Sequence, residues 1–171
     1  LSASEVLVTR GGTVLGAIFV ADRLREEAAL AVRALHTMGI RTLLLTGDRA
    51  GAARAMAVQL RVDEWEAGML PEQKRDRVRA LVEAGRTVAM IGDGVNDAPA
   101  LAEASVGIAM GSGTDVTRES ADVVLIGNDL SRFVDTLRTA RRVQRTIRQN
   151  FVGTIAIDVL GMGLAAFGLL G

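Results

Sequence analysis

The chain has no cysteine, a single histidine and only two prolines in 171 residues. Without cysteine, disulfide bonds and thiolate metal sites within this chain are excluded. Acidic and basic residues balance at 20 each, so net charge gives no electrostatic case for binding nucleic acid, and we expect no such partner. The first ten residues show no secretory signal pattern.

Lysine is almost absent as well. Of the 20 basic residues, 19 are arginines and one is Lys74. A compact ammonium group suits a position where one point charge must reach a phosphate, which a flat guanidinium group does differently. Lys74 therefore predicts a phosphate contact near the start of a helix that opens at Pro71. The alternative is an ordinary exposed lysine that survived by chance.

The densest group of polar side chains follows the apolar residues 87–91, which are typical of a buried parallel strand. Asp93, Asn96 and Asp97 come directly after this strand, and Pro99 opens a predicted helix. Open α/β sheets bind their ligands at the carboxyl ends of strands. Carboxylates at this place predict Mg²⁺ together with phosphate, with Asp93 first to extend past the strand. The alternative is a turn rich in Asp and Asn without chemistry.

Thr46 occupies an equivalent position at the carboxyl end of another predicted strand. Residues 40–45 are an apolar strand, and Thr46-Gly47-Asp48 leads from it into an alanine-rich helix over 49–60. The Thr46 hydroxyl and the neighbouring backbone N–H groups are placed to hold a phosphate oxygen. The alternative is an ordinary threonine at the N-cap of that helix.

Strands and helices alternate along most of the chain, which predicts an α/β fold with a doubly wound parallel sheet. Two strands joined at Gly11-Gly12 form a predicted hairpin first. The remaining predicted elements are a helix over 26–38, a strand region over 62–69, a helix over 71–84, strands over 106–110 and 122–126, and a short helical turn over 115–119.

The C-terminal part changes character. Residues 129–150 predict a long helix that carries five arginines from Arg138 to Arg148, and residues 151–171 contain one charge, Asp158. Twenty-one residues span roughly 30 Å, so this segment predicts a transmembrane helix. The arginines place its N-terminal side in the cytoplasm. A buried helix of a soluble protein is the alternative. An acid inside such a span is expected to face a pathway or a partner.

Four motifs occur in one order along the chain: Leu45-Thr46-Gly47-Asp48, then residues 70–74 (LPEQK), residues 92–101 (GDGVNDAPAL) and residues 107–115 (GIAMGSGTD). In this combination the chain resembles the phosphorylation domain of a P-type ATPase. Residues 21–28 and the pair Gln149-Asn150 are similar to the heavy-metal-transporting branch.

The resemblance implies a haloacid-dehalogenase-like fold that transfers a phosphoryl group from ATP to an aspartate, with Mg²⁺. It implies a catalytic role for Thr46, Lys74, Asp93 and Asp97, with Mg²⁺ held at Asp93 and Asp97. Asp158 lies where relatives carry a transport-site residue, and we expect it to contact the transported cation. The residues implied in binding the nucleotide or phosphoryl group are Thr46, Gly47, Asp48, Lys74 and Asn96.

One motif of that family is missing: no Asp-Lys-Thr-Gly-Thr, which carries the phosphorylated aspartate, occurs in the 171 residues. We expect residues 1–21 to end a nucleotide-binding domain, 22–135 to form the phosphorylation domain, and 136–171 to form a connecting and transmembrane helix. The chain alone is then expected to be inactive, and to need the nucleotide, actuator and membrane domains of a longer protein.

The predicted function is part of an ATP-driven transporter of heavy-metal cations in a membrane, whose partners are ATP, the cation and membrane lipid. A soluble phosphatase of the same fold shares the Thr, Lys and Asp positions, but has no use for the apolar segment 151–171. A non-catalytic binding module is a third class, which intact Thr46, Lys74 and Asp93 disfavour.

Overall fold

A computed structural model describes residues 4–20, 26–93, 95–111, 119–127 and 129–167. The chain divides into two compact units, Leu1–Arg132 and Phe133–Gly171. The first holds all the described strands, and residues 133–166 of the second belong to one long helix.

The first unit begins with a β-hairpin. Strand β1 (Ser4–Arg10) pairs antiparallel with β2 (Thr13–Val20). Gly11 and Gly12 both have positive φ, 56° and 81°, which a two-residue hairpin turn of the favoured type requires at both positions. The predicted hairpin is confirmed.

Every other described strand pairs in parallel, which confirms the predicted α/β class. Strand β3 (Leu43–Leu45) pairs with β4 (Glu64–Glu66), and β6 (Val106–Ala109) lies between β5 (Ala89–Gly92) and β7 (Val123–Val124). Helices connect β3 to β4 and β5 to β6, as parallel pairing requires. The α-helices described in full within this unit are α1 (Glu26–Thr37), α2 (Ala50–Leu60), α3 (Pro71–Glu83) and α4 (Ala98–Glu103).

The hydrogen bonding divides these parallel strands into two sheets, whereas the sequence predicts one continuous sheet. Within the described residues, β3 is bonded only to β4, and β5 only to β6. Each of β3 and β5 therefore has one edge without a strand partner in the described part of the chain. Leu43, Leu44 and Leu45 are nevertheless half-buried.

The core of the first unit is built mostly from small apolar side chains. In α2, Ala53, Ala57 and Leu60 recur at helical spacing and are buried, and Ala100 and Ala109 are fully buried in α4 and β6. Small side chains let the helices lie close to the strands, because little side-chain volume separates the two backbones. The remaining buried apolar residues of this unit are Ala31, Val32, Leu35, Val78, Ala98, Leu101, Ile108 and Leu125.

Helix α1 ends in a way that shortens the next strand. Gly39 has φ +73°, and the Ile40 N–H donates to the Leu35 carbonyl at 3.0 Å, as in the glycine-capped ends of many helices. Ile40 therefore belongs to this cap, so β3 begins at Leu43 and not at residue 40 as predicted.

Residues 133–166 of the second unit belong to the helix α5 (Leu130–Ala166), which continues without a break past residue 150. Among the described residues, no helix is both long and apolar enough to cross a membrane. The predicted transmembrane helix over 151–171 is therefore not confirmed, and its last residues, 168–171, lie outside the described part. Residues 112–118, which include most of the predicted loop and turn at 111–119, lie outside it too.

Candidate functional site

The end of β5 brings an aspartate and a glycine together. Asp93 follows Gly92 directly and is exposed, as the sequence predicts. The chain then forms a tight helical turn, Val95–Asp97, that returns Asp97 to Gly92. A Cβ on residue 92 would lie 2.6 Å from the Asp97 Cβ and 3.0 Å from its Oδ2. Only glycine leaves room for that approach, because carbon atoms in contact normally stay about 3.5–4.0 Å apart.

Asp97 forms an ion pair with the only lysine. The Lys74 Nζ donates to the Asp97 Oδ1 at 2.8 Å, and both side chains are only 14% exposed. A pair so well shielded from water is screened less than a surface pair, and loss of one partner leaves the other charge uncompensated. The structure therefore brings together two of the predicted catalytic residues, which are 23 positions apart in the sequence.

The start of α3 fixes the position of Lys74. Leu70 is extended, Pro71 opens the helix, and the Leu70 N–H donates to the Gln73 Oε1 at 2.8 Å. Proline suits this position because the first helical N–H groups lack partners within the helix. The Lys74 N–H donates to the Leu70 carbonyl at 3.1 Å, which is the first turn of the helix. Lys74 is thus held near a rigid helix start.

Thr46 forms a local turn at the end of β3. Its hydroxyl donates to the Asp48 Oδ2 at 2.9 Å and accepts from the Asp48 N–H at 3.1 Å. Helix α2 begins four residues later, and its N-cap is Arg49 without a side-chain cap bond. The alternative of Thr46 as an ordinary N-cap is therefore wrong. Its hydroxyl and the backbone of Gly47 and Asp48 share one exposed turn.

The loop after β4 holds that turn in place. The Thr46 N–H donates to the Glu66 carbonyl at 3.0 Å, the Met69 N–H to the Thr46 carbonyl at 3.0 Å, and the Gly68 N–H to the Asp48 carbonyl at 2.8 Å. Gly68 has φ +66°. These bonds join the Thr46 turn to the segment that leads directly into α3 and Lys74.

The predicted magnesium ligands are too few to complete the coordination shell of the ion with protein groups alone. Among the described residues, no three His, Cys, Asp or Glu side chains are grouped as metal ligands. Mg²⁺ usually takes one or two carboxylates and completes its shell with water and phosphate oxygens. The two carboxylates Asp93 and Asp97 on one turn fit this chemistry. Asn96 is exposed on the same turn, and Asp158 is exposed on α5 in the second unit.

A second polar cluster lies at the opposite end of β3. His36 Nε2 lies 3.0 Å from both the Thr42 Oγ1 and the Asp63 Oδ2, and the Thr42 N–H donates to the same carboxylate oxygen at 2.7 Å. That backbone hydrogen bond keeps the pKa of Asp63 below its usual value. A hydroxyl–histidine–carboxylate relay uses both ring nitrogens, whereas one nitrogen makes both contacts here. The cluster therefore stabilises the fold and has no nucleophile geometry.

One set of ion pairs next to the site, between Arg77 and two glutamates of β4, was not predicted from the sequence. Arg77 of α3 donates through its Nε to the Glu66 Oε1 at 2.5 Å and lies 3.5 Å from the Glu64 Oε2. Two signals were present: glutamates at alternate positions of a strand share a face, and Arg77 lies three residues after Lys74.

A model of the family described as haloacid dehalogenase-like hydrolase matches residues 2–105. The chain belongs to this family. It is also 47% identical over 96% of its length to the cation-transporting P-type ATPase B of Mycobacterium tuberculosis, and 45% identical over 95% to the human copper-transporting ATPase 2. A crystal structure of a zinc-transporting PIB-type ATPase in its E2·Pi state aligns with 99% of the chain at a TM-score of 0.87 and 41% identity.

These matches confirm the haloacid-dehalogenase-like fold and the resemblance to heavy-metal P-type ATPases over nearly the whole chain. The chain spans 22% of the mycobacterial relative, 11% of the human one and 28% of the crystallised zinc transporter. This member of the hydrolase family therefore corresponds to a small part of each of those proteins.

Proposed function

We propose that this chain is part of the phosphorylation domain of an ATP-driven heavy-metal cation transporter that works through an aspartyl-phosphate intermediate. The observation that carries the proposal is the shielded Lys74–Asp97 pair beside Asp93 at the end of β5. A fixed ammonium next to acids at a strand end is what phosphoryl transfer needs, because its catalysis is mostly positioning and charge stabilisation.

Each predicted residue then has a role. The Thr46 hydroxyl donates to the Asp48 carboxylate in this structure, and a phosphoryl oxygen takes the place of that acceptor when the site is filled. Gly47 and Asp48 offer backbone N–H groups at the same turn. The Lys74 ammonium stabilises the charge of the transferred group, and Asp97 holds that ammonium in place.

The acids of the β5 turn account for the metal requirement. Asp93 would be the direct Mg²⁺ ligand, Asp97 would support it, and Asn96 would complete the hydrogen bonding of the turn. The metal would supply positive charge to offset that of the phosphate. ATP binds with Mg²⁺ through the longer protein.

The two divided sheets support a place for the missing nucleophile. Strands β3 and β5 each leave one edge without a strand partner in the described residues, although β3 is an apolar, half-buried Leu-Leu-Leu. Free apolar edges are unusual in natural proteins. A parallel strand inserted between β3 and β5 would end beside Thr46 and Asp93, because parallel strands share their carboxyl edge. We place the Asp-Lys-Thr-Gly-Thr segment of the longer protein there.

The hairpin supports the domain assignment. Leu7, Val8, Val14, Leu15 and Ile18 are exposed, and they include neighbours that point to opposite faces. A lone two-stranded hairpin is marginally stable in water. We propose that residues 1–21 end a nucleotide-binding domain, that 22–135 form the phosphorylation domain, and that 136–171 connect it to a membrane segment that contacts lipid. The longer protein is located in a membrane.

A soluble phosphatase of the same fold is less supported. The relatives at 45–47% identity are named as cation and copper transporters. A deoxy-D-mannose-octulosonate 8-phosphate phosphatase among the solved structures is 21% identical and shares the fold alone.

The test is phosphoenzyme formation in the full-length protein. Incubation with γ-labelled ATP and Mg²⁺ should give acid-stable label on the wild type and none on Asp93→Asn at ordinary Mg²⁺. Asp76→Asn is the matched control, since Asp76 pairs with Arg75 on the same helix and should label normally. Wild-type labelling of Asp93→Asn would refute the assignment. The 171-residue chain alone should take up no label, and stoichiometric label on it would reveal a nucleophile within these residues.

A further inference from the structure

Glu66 contacts both halves of the candidate site. Its carbonyl accepts the Thr46 N–H at 3.0 Å, in register with the pairing of Leu45 and Glu66 across β3 and β4. Its carboxylate accepts the Arg77 Nε at 2.5 Å. One residue of β4 therefore joins the Thr46 turn through its backbone to helix α3 through its side chain.

Arg77 attaches α3 to β4 one turn after Lys74. Its guanidinium contacts Glu66 and also lies 3.5 Å from Glu64, and these glutamates share one face of the strand. Glu64 in turn pairs with Arg41, just before β3. Residues three apart on a helix are neighbours on its surface, so the attachment at Arg77 restrains the same part of α3 that carries Lys74.

We propose that Glu66 and Arg77 are positioning residues that set the distance between the Thr46 hydroxyl and the Lys74 ammonium. The proposal rests on the proposed function, in which these two groups contact one phosphoryl group. A misplacement of about 1 Å at a reacting centre is worth on the order of a hundredfold in rate. A small rotation of α3 about its axis is enough to move the Lys74 Nζ by that distance.

The pair itself contributes little to global stability. Both side chains are about one-third exposed, 32% for Arg77 and 38% for Glu66, and exposed pairs contribute weakly to folding. Removal of either partner should thus change the chemistry at Lys74 more than the melting temperature. A merely structural role predicts the reverse.

Arg75 provides the matched control. It lies on the same helix, carries the same charge and pairs with its neighbour Asp76, at 2.8 Å, not with β4. Arg75→Met and Arg77→Met each remove one positive charge from the same helix, one and three residues after Lys74. A difference between the two variants therefore reports the contact with Glu66 and not the lost charge.

The first measurement uses the 171-residue chain, in which Lys74 is the only side-chain amine. The rate of Lys74 acylation by a small amine-reactive ester is followed by mass spectrometry of its peptide. We expect Glu66→Gln and Arg77→Met to raise this rate by at least about twofold over Arg75→Met, the scale of one exposed ion pair. Arg77→Gln, which adds no second amine, covers the case in which Arg77→Met does not fold.

The second measurement uses the full-length protein. The phosphorylation rate at saturating ATP should fall at least about tenfold in Glu66→Gln and Arg77→Met, within the range for misplaced groups, with unchanged KM for ATP. The exchange Glu66→Arg with Arg77→Glu should restore part of the rate.

The possible outcomes distinguish a failure of the proposed function from a failure of the positioning role. A wild type that forms no phosphoenzyme overturns the proposed function. A wild type that does, with both variants matching Arg75→Met in phosphorylation and in Lys74 acylation, overturns the positioning role. A fall in melting temperature that accounts for the rate loss overturns it as well.

Discussion

Replacement of Gly92 by alanine tests the arrangement around Asp97. The added Cβ would lie 2.6 Å from the Asp97 Cβ and 3.1 Å from its Cγ. Apolar contacts are normally about 3.5–4.0 Å, so Asp97 must retreat by roughly 1 Å. Its Oδ1 is 2.8 Å from the Lys74 Nζ, and a shift of this size breaks or bends that hydrogen bond. Gly92→Ala should thus weaken the restraint on the Lys74 side chain without changing that residue itself.

The expected magnitude follows from overpacking. An extra methyl group in a well-packed place costs about 1–3 kcal/mol. In a chain of this length each kcal/mol changes the melting temperature by about 2–4 °C, so we expect a fall of about 2–12 °C. The acylation rate of Lys74 should rise as well, because the ammonium loses its partner.

The assay is thermal unfolding followed by circular dichroism, combined with Lys74 acylation below the transition. Gly51→Ala is the matched control, since Gly51 lies in α2 and a Cβ there meets no atom within 4 Å. Alanine in a helix is favoured over glycine by about 0.5–1 kcal/mol, so this control should keep or raise the melting temperature. A Gly92→Ala protein with wild-type melting and wild-type acylation would show that Asp97 does not lie against residue 92.

Three further outcomes are expected. Lys74→Arg keeps the charge but changes its shape, so phosphorylation in the full-length protein should fall at least ~10²-fold, and a rate within about twofold of wild type would show that Lys74 does not act on the phosphoryl group. The backbone hydrogen bond from Thr42 holds the pKa of Asp63 below its usual 3.8, so its stabilisation is present above pH 3.8 and lost as pH falls through the lower folded-state pKa. The difference in unfolding free energy between wild type and Asp63→Asn should therefore shrink in acid, and a difference that grows there would contradict the contact. Asp158→Ala in the full-length protein should weaken stimulation of ATPase activity by the preferred divalent ion, since a carboxylate favours Zn²⁺, Mn²⁺ or Co²⁺ over Cu⁺. An unchanged affinity for that ion and an unchanged maximal ATPase activity would show that Asp158 is not part of a transport site.

The local sequence pattern was enough to predict most helices and strands and the position of Asp93 at a strand end. An apolar run followed by glycine and acids indicates a strand end, and the structure places β5 and Asp93 there. The hairpin at Gly11-Gly12 was equally predictable, because few residues adopt positive φ twice in succession. These features depend on residues that are neighbours in the sequence, so one sequence is enough to predict them.

Non-local contacts were not predictable in the same way. Nothing in the sequence pairs Lys74 with Asp97. The shared face of Glu64 and Glu66 does not identify Arg77 as their partner, since those contacts depend on how α3 lies against other elements. Thr46 bonds to Asp48 two residues on, and this local turn displaces the helix start to Ala50. The apolar count over 151–171 predicted a membrane span, but the described helix ends at Ala166, and no described helix qualifies.

Because the chain has a single lysine, proteolysis after lysine can report on the candidate site. A protease that cleaves only after lysine has one target in all 171 residues, the bond between Lys74 and Arg75 in the first turns of α3. Helical backbone resists such enzymes until it opens, so cleavage of the native chain measures how often this one helix unwinds. Any ligand that binds across the Thr46 turn and Lys74 should slow that cut, and the protection would report occupancy of the site without any label.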